Sequence, residues 1–269
     1  MASNSNILET HALTRRFGDL LAVDRLDLAV EAGEVFGLLG PNGAGKTTMI
    51  KMLTTLLPPS SGSASVAGFD IKQQSWHVRN TIGYVPQLVS VDGSLTAYEN
   101  LLIFAKLYGL PRSERRERIA ASLDFVGLGD AANRMVRGYS GGMMRRLEIA
   151  LAMLHRPRVL FLDEPTVGLD PLARQVVWQR VSSLVEEFGM TIFLTTHFME
   201  EADHLCDRIA IMNLGRVAAL GSPAGLKASI GKPDATLDEV FAYYTGHQLD
   251  IGGSFREVAR TRRTAARLG

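Results

Sequence analysis

The stretch VFGLLGPNGAGKTT, Val35 to Thr48, leaves little choice about what surrounds it. Its first half is an uninterrupted apolar run, the pattern of a strand covered on both faces. Its second half has the spacing G-x-x-x-x-G-K-T from Gly40 to Thr47. Helical pattern resumes at Lys46 and stops at Pro58-Pro59, which predicts a helix over 46–57. A buried strand that turns through glycines straight into a helix opens an α/β unit with a largely parallel sheet. The loop chemistry is equally specific. Gly40, Pro41, Asn42, Gly43, Ala44, Gly45, Lys46, Thr47 and Thr48 form a phosphate cradle. Gly43 and Gly45 allow the sharp turn that aims N–H groups inward. The helix start adds its positive end, Lys46 reaches the outer phosphates, and Thr47 offers a hydroxyl to Mg²⁺.

A second apolar run, VLFLDEP, ends in Asp163 and Glu164. In an open α/β sheet the carboxyl ends of the strands are where ligands sit. Asp163 is placed to hold Mg²⁺ through water, and Glu164 to polarise an attacking water. IGYVPQ and IFLTTH are further buried strands, ending near Gln87 and at His197. Parallel strands would bring both to the same edge, Gln87 to sense Mg²⁺ and water and His197 to meet the terminal phosphate. Phe17, ahead of the loop, is a candidate stacking platform for adenine; such stacking is worth ~1–3 kcal/mol per base.

Composition narrows the remaining classes. The 269 residues carry a net charge of +1, without the basic excess of a general nucleic-acid binder. A single cysteine, Cys206, excludes an internal disulfide and suits a core thiol in a helical stretch ending at Ile209. No run approaches the ~18–20 apolar residues that span a bilayer, and MASNSNILE has no signal-peptide pattern, so a membrane role requires a partner chain. Thr96 to about His155 reads as a helical insertion. RIAIMNLGRVAALG reads as two strands about a turn, and ATLDEVFAYYTG as a short amphipathic helix. From His247 onward the chain is rich in arginine.

One feature is left over. GYSGGMMRRLEIA, Gly138 to Ala150, places Ser140, Gly141 and Gly142 directly before a helical pattern with Arg145 and Arg146 in its first turns. This is a second anion-holding loop in a chain that already has one. Gly40–Thr48, Gln87, YSGG at Tyr139–Gly142, Asp163-Glu164, GLD at Gly168–Asp170 and His197 occur in that order. Together they resemble the nucleotide-binding subunits of ATP-binding-cassette (ABC) transporters, over about Ile7 to Leu226. The context VRGYSGGMMRRLEIA and the later TLDEVFAYYTG resemble the ATPase subunits of ABC-2-type exporters, especially daunorubicin-resistance-like ones. Met143 departs from the glutamine commonest in the family, at a position that leaves Ser140 and the glycine amides intact.

The resemblance implies a P-loop NTPase cassette: a RecA-like α/β core, an antiparallel β-subdomain and a helical subdomain at about 88–155. The nucleotide-binding domain is expected at 7–240, with a basic extension at 241–269. It implies ATP and Mg²⁺ as ligands, the metal held by Thr47, Gln87 and Asp163. Glu164 and His197 would be catalytic, Phe17 the adenine contact, and Asp170 a residue that communicates across a dimer. In this family the Ser140–Gly142 signature of one subunit meets the P-loop of another. A second nucleotide-binding subunit, an identical one by the intact motif set, and a separate ABC-2-type permease are the implied partners, with no nucleic acid. The implied place is the cytoplasmic face of the cell membrane, and the implied cargo a drug, lipid or polysaccharide.

The alternatives are an importer subunit or a non-transport ABC ATPase. Repair and chromosome forms of the latter carry a long coiled-coil insertion that is absent here, and translation forms usually carry two cassettes. A kinase or small GTPase would leave YSGGM unexplained, and TTH stands where a guanine-reading N-K-x-D motif would be needed. A module without catalysis conflicts with intact Lys46, Asp163, Glu164 and His197.

Overall fold

The structure is a computed structural model that describes residues 6–232 and 234–246. Strands β1 (Asn6–Phe17) and β2 (Leu20–Glu31) form a long hairpin. Along β2, in RLDLAVE, Leu26, Leu28 and Val30 are buried while Arg25, Asp27 and Glu31 face water, the alternation of a strand with one wet face. Then come β3 (Val35–Leu39), α1 (Lys46–Leu53), β4 (Ser61–Val66), β5 (Phe69–Asp70), α2 (Ser75–Thr81) and β6 (Ile82–Val85). Three longer helices follow: α3 (Ala97–Leu107), α4 (Arg112–Phe125) and α5 (Gly141–Met153). The chain continues through β7 (Val159–Asp163), α6 (Pro171–Phe188), β8 (Thr191–Thr196), α7 (Met199–Leu205), β9 (Arg208–Asn213), β10 (Arg216–Gly221), α8 (Pro223–Ser229) and α9 (Leu237–Thr245).

Two sheets result. The antiparallel one has the order β2-β1-β4-β5, and the larger one the order β10-β9-β3-β8-β7-β6. Within the larger sheet β9, β3, β8, β7 and β6 run parallel, with β10 antiparallel at the edge. Its central strands are buried on both faces and alternate between two cores. Phe36, Phe161 and Phe193 point toward the antiparallel sheet and pack ring on ring. Leu160, Leu162, Ile192 and Leu194 point the other way, into the layer that holds α5, α6 and the helical insertion. Because the strands are parallel, the residues after β3, β6, β7 and β8 all emerge at one edge: Gly40, Gln87, Glu164 and His197.

The structure shifts two local boundaries. Helix α1 ends at Leu53 rather than residue 57. Thr54 Oγ1 bonds back to Ile50 O at 2.8 Å, and Thr55 takes φ 63°, a left-handed exit that stops the helix before the prolines. Cys206 is not helical: it follows α7 in extended conformation, and Asp207 N donates to Val35 O at 2.9 Å to begin the pairing of β9 with β3. It is nevertheless a core thiol, pushed well up by burial. The expected domain boundary at 240/241 falls inside α9, a helix with a Thr236/Glu239 capping box and buried Leu237, Val240 and Phe241. Packing ties that helix to the main body. The arginine-rich tail from His247 lies outside the described residues.

Candidate active site

The loop between β3 and α1 is shaped by steric need. Gly43 and Gly45 hold φ of 84° and 104°, a region that only glycine enters at low cost. A Cβ at Gly45 would stand 2.3 Å from Ala22 O on β2, and one at Gly40 2.4 Å from Met212 O on β9. The hairpin and the larger sheet thus clamp the loop from behind, and Gly215 N donates to Ala44 O at 3.0 Å. The front carries the start of α1, whose first N–H groups have no partners within the helix.

Lys46 is only 4% exposed. Its ammonium donates to Gly40 O at 2.7 Å and Pro41 O at 3.2 Å and pairs with Glu164 Oε1 at 3.2 Å. Burial pulls its pKa down, and the Glu164 charge opposes that. Thr47 Oγ1 lies 3.3 Å from Asp163 Oδ1, which also accepts from Thr195 Oγ1 at 2.6 Å. Burial raises the Asp163 carboxyl above its ordinary value, against the bonds from Thr195 and Thr47.

Glu164 is the hub. Its backbone sits at φ 50°, held by Glu164 N donating toward Thr195 O and Oγ1, both at 3.1 Å. Its carboxylate accepts from Gln87 Nε2 at 3.0 Å. His197 Nδ1 is 3.3 Å from Glu164 Oε1, ion-pair distance without the alignment of a hydrogen bond. Burial pushes the Glu164 carboxyl up, but His197 and the Lys46 charge outweigh burial and hold it below its ordinary value. It is therefore an anion at neutral pH.

The expected residues divide by position. Lys46, Thr47, Asp163, Glu164, Gln87 and His197 converge on one point. The Gln87 amide rests on Glu164, not on the Thr47–Asp163 pair expected to share a metal with it. Phe17 ends β1, on the hairpin whose Ala22 carbonyl abuts Gly45, and is 43% exposed with the Arg15 guanidinium 4.5 Å from its ring centroid. Asp170 caps α6 through Ala173 N at 2.9 Å. Ser140 caps α5 by accepting from Met143 N at 3.3 Å, which leaves its hydroxyl hydrogen free. Ser140 and Gly141 face solvent, and among the described residues no hydrogen bond joins Ser140–Gly142 to Gly40–Thr48. Arg145 does not aim at a phosphate site: it is buried against the carbonyls of Pro86 and Gln87 and paired with the Glu148 carboxylate at 3.0 Å. Arg146 binds Val126 O and Gly127 O.

Two further site groups escape a reading of motifs. Thr195, a hydroxyl inside an apolar strand, orients Asp163. Glu201, fully buried on α7, accepts from Thr166 Oγ1 at 2.8 Å and Trp178 Nε1 at 3.0 Å, linking the segment after Glu164 to the helix after His197. A carboxylate in the apolar side of a helix was its available signal.

The donor set fits Mg²⁺. One hydroxyl and one carboxylate beside a phosphate cradle is the protein share such an ion takes, since it keeps waters and binds mainly through substrate phosphates. Fold and site together define an ATP-binding P-loop cassette with a buried, ionised carboxylate beside the loop. The profile of the family described as ABC transporter matches residues 23–167. The daunorubicin/doxorubicin resistance ATP-binding protein DrrA of Streptomyces peucetius is 49% identical over 224 residues, covering 83% of this chain and 68% of that protein. The Nod factor export ATP-binding protein I of Burkholderia orbicola is 44% identical over 239 residues, 85% of this chain and 78% of that one. A dimeric post-hydrolysis structure of the ATP-binding cassette MJ0796, with ADP and Pi, aligns with TM-score 0.71 and 28% identity over 80% of this chain and 98% of that one. The chain belongs to the ABC transporter family, and within it is an ATP-hydrolysing subunit.

Proposed function

We propose that two copies of this chain bind two ATP molecules head to tail and drive a separate ABC-2-type permease at the cytoplasmic face of the membrane, for export of a drug, lipid or polysaccharide. The observation that carries the pairing is the signature at the start of α5. Ser140, with its hydroxyl hydrogen free, and Gly141 face solvent, and among the described residues neither bonds to its own subunit's P-loop. A two-fold pair brings such a patch to the partner's phosphate loop. The dimeric state of the MJ0796 cassette supports a pairing of two cassettes. Among the described residues no helix is long and apolar enough to cross a membrane, in keeping with a permease on another chain. The exporter assignment draws on relatives named for drug resistance and Nod factor export.

Within each site the work divides by residue. The loop amides and Lys46 bind the phosphates, and Lys46 changes partner from Glu164 to phosphate as it does so. Thr47 and Asp163 would hold Mg²⁺, which would supply positive charge to the phosphate oxygens. Glu164, an anion aligned by Gln87, orients and deprotonates the attacking water. His197 fixes the far side of that carboxylate and meets the terminal phosphate. Ser140 and the Gly141 and Gly142 amides grip the same phosphate from the partner, so closure depends on its presence and differs between ATP and ADP. The unit that does this spans residues 7 to about 246, with the helices between residues 88 and 155 presented to the permease.

Turnover per subunit, measured while the chain is diluted until light scattering reports monomers, tests the pairing. It is expected to fall steeply; a constant rate in monomers overturns it. Export is tested by co-purifying and identifying the permease, where an importer-type partner would reverse the direction assigned.

A further inference from the structure

Helix α5 carries the signature at its first turn and, one turn further on, a buried ion pair. Arg145 is 4% exposed and Glu148 2%. Arg145 Nη1 lies 3.0 Å from Glu148 Oε2 and donates to Pro86 O at 2.7 Å, while Nη2 donates to Gln87 O at 3.1 Å. Glu148 Oε1 accepts from Ser90 N at 2.7 Å and Ser90 Oγ at 3.0 Å. The pair therefore holds both ends of the turn from Pro86 to Ser90, whose tip, Leu88 and Val89, is exposed. The Gln87 side chain leaves that turn for Glu164. Holding helix α5 in place needs no charges, because apolar residues of similar volume pack as well or better. Among the described residues, the side-chain hydrogen bonds of this pair beyond its own bridge go instead to one loop.

We propose that Arg145 and Glu148 are positioning residues that set Gln87 on Glu164 and so transmit the placement of the signature helix to the water-activating carboxylate. This rests on the hydrolytic roles given above to Gln87 and Glu164. When a partner's phosphate seats on Ser140–Gly142, any tilt of α5 moves the guanidinium, and with it the carbonyls of residues 86 and 87. The same contacts act in reverse: force on the exposed Leu88–Val89 tip reaches the signature through Arg145 and Glu148.

The test is a mutant cycle on the full chain. Arg145→Lys replaces a fork that reaches two carbonyls and a carboxylate with a point charge that cannot. Misplacement by about an ångström can cost up to ~100-fold in rate, so kcat is expected to drop about tenfold or more, with ATP affinity of the monomer and KM unchanged. In a Gln87→Ala background the same substitution should cost nothing further. Glu148→Gln, which keeps an acceptor for Ser90 but loses the charge, should give a smaller loss in the same direction. If Arg145→Lys does not fold, Arg145→Met with Glu148→Leu removes both charges together and enters the same cycle. An equal rate loss in both backgrounds, or a loss confined to ATP affinity, overturns the proposal while leaving Gln87 its role. Unchanged turnover in Gln87→Ala alone removes the Gln87 assignment and this proposal with it.

Discussion

Replacing Glu164 by glutamine separates two things that the carboxylate does at once. In the structure it is the charge partner of a buried ammonium, 3.2 Å from Lys46 Nζ, with both side chains nearly solvent-free. Removing one member of a buried pair costs about 3–5 kcal/mol. The low end applies here, about 3 kcal/mol, because Lys46 keeps the Gly40 and Pro41 carbonyls and Asp163 is relieved of a neighbouring charge. When ATP is bound, phosphate takes over as partner of Lys46 and the deficit should close. Catalysis behaves oppositely. An amide cannot take a proton from water, and loss of a general base lowers kcat by about 10²–10⁴, or ~3–5 kcal/mol in the barrier. Urea unfolding with and without ATP measures the first effect, and phosphate release the second. The variant should also accumulate as an ATP-bound dimer on size exclusion. Turnover within a few-fold of wild type would refute the role of Glu164. A stability gap that persists in saturating ATP would refute the exchange of partners at Lys46.

The other expectations are narrower. Phe17→Ala should weaken ATP binding by about 1–3 kcal/mol while Phe17→Trp preserves it, read by calorimetry; equal affinity in the alanine variant removes the stacking role. Lys46→Ala should abolish tight ATP binding, and unchanged affinity in a titration would contradict the loop assignment. His155, stacked on Tyr108 with Nε2 2.9 Å from Ile82 O, has its pKa pulled by burial to about 4. Because the folded chain resists a proton that the unfolded chain accepts, this group's stability contribution is complete above about pH 6.5 and is lost as pH falls toward 4, at most about 3 kcal/mol. His155→Phe should flatten that part of the pH–stability profile; an unchanged slope would show that other groups carry it.

Local sequence was sufficient wherever the physics is local. Val35–Thr48 dictated strand, loop and helix because the apolar run, the left-handed glycines and the lysine each need their neighbours within a few residues. The alternation in β2 and the short amphipathic helix at α9 were legible for the same reason. Asp163-Glu164, Gln87 and His197 were legible as strand ends. Their meeting needed only that the strands run parallel.

The tertiary structure decided what sequence spacing does not encode. Nothing near Arg145 says whether its remaining donors meet a bound phosphate or the carbonyls of residues 86 and 87, fifty-odd positions earlier; that depends on where the helical insertion returns the chain to β6. Gln87 choosing Glu164, Thr195 orienting Asp163, and Glu201 joining Thr166 to Trp178 are likewise contacts between strands and helices brought together only by the sheet order. Cys206 and the end of α1 were misplaced because a helix stops where a competing bond wins: Asp207 N turns to Val35 O, and Leu57 N closes on Lys51 O across the left-handed Thr55. The residue types of the site follow from sequence because each carries its own chemistry. Their orientation does not, because a hydrogen bond is chosen by whichever partner packing brings within 3 Å.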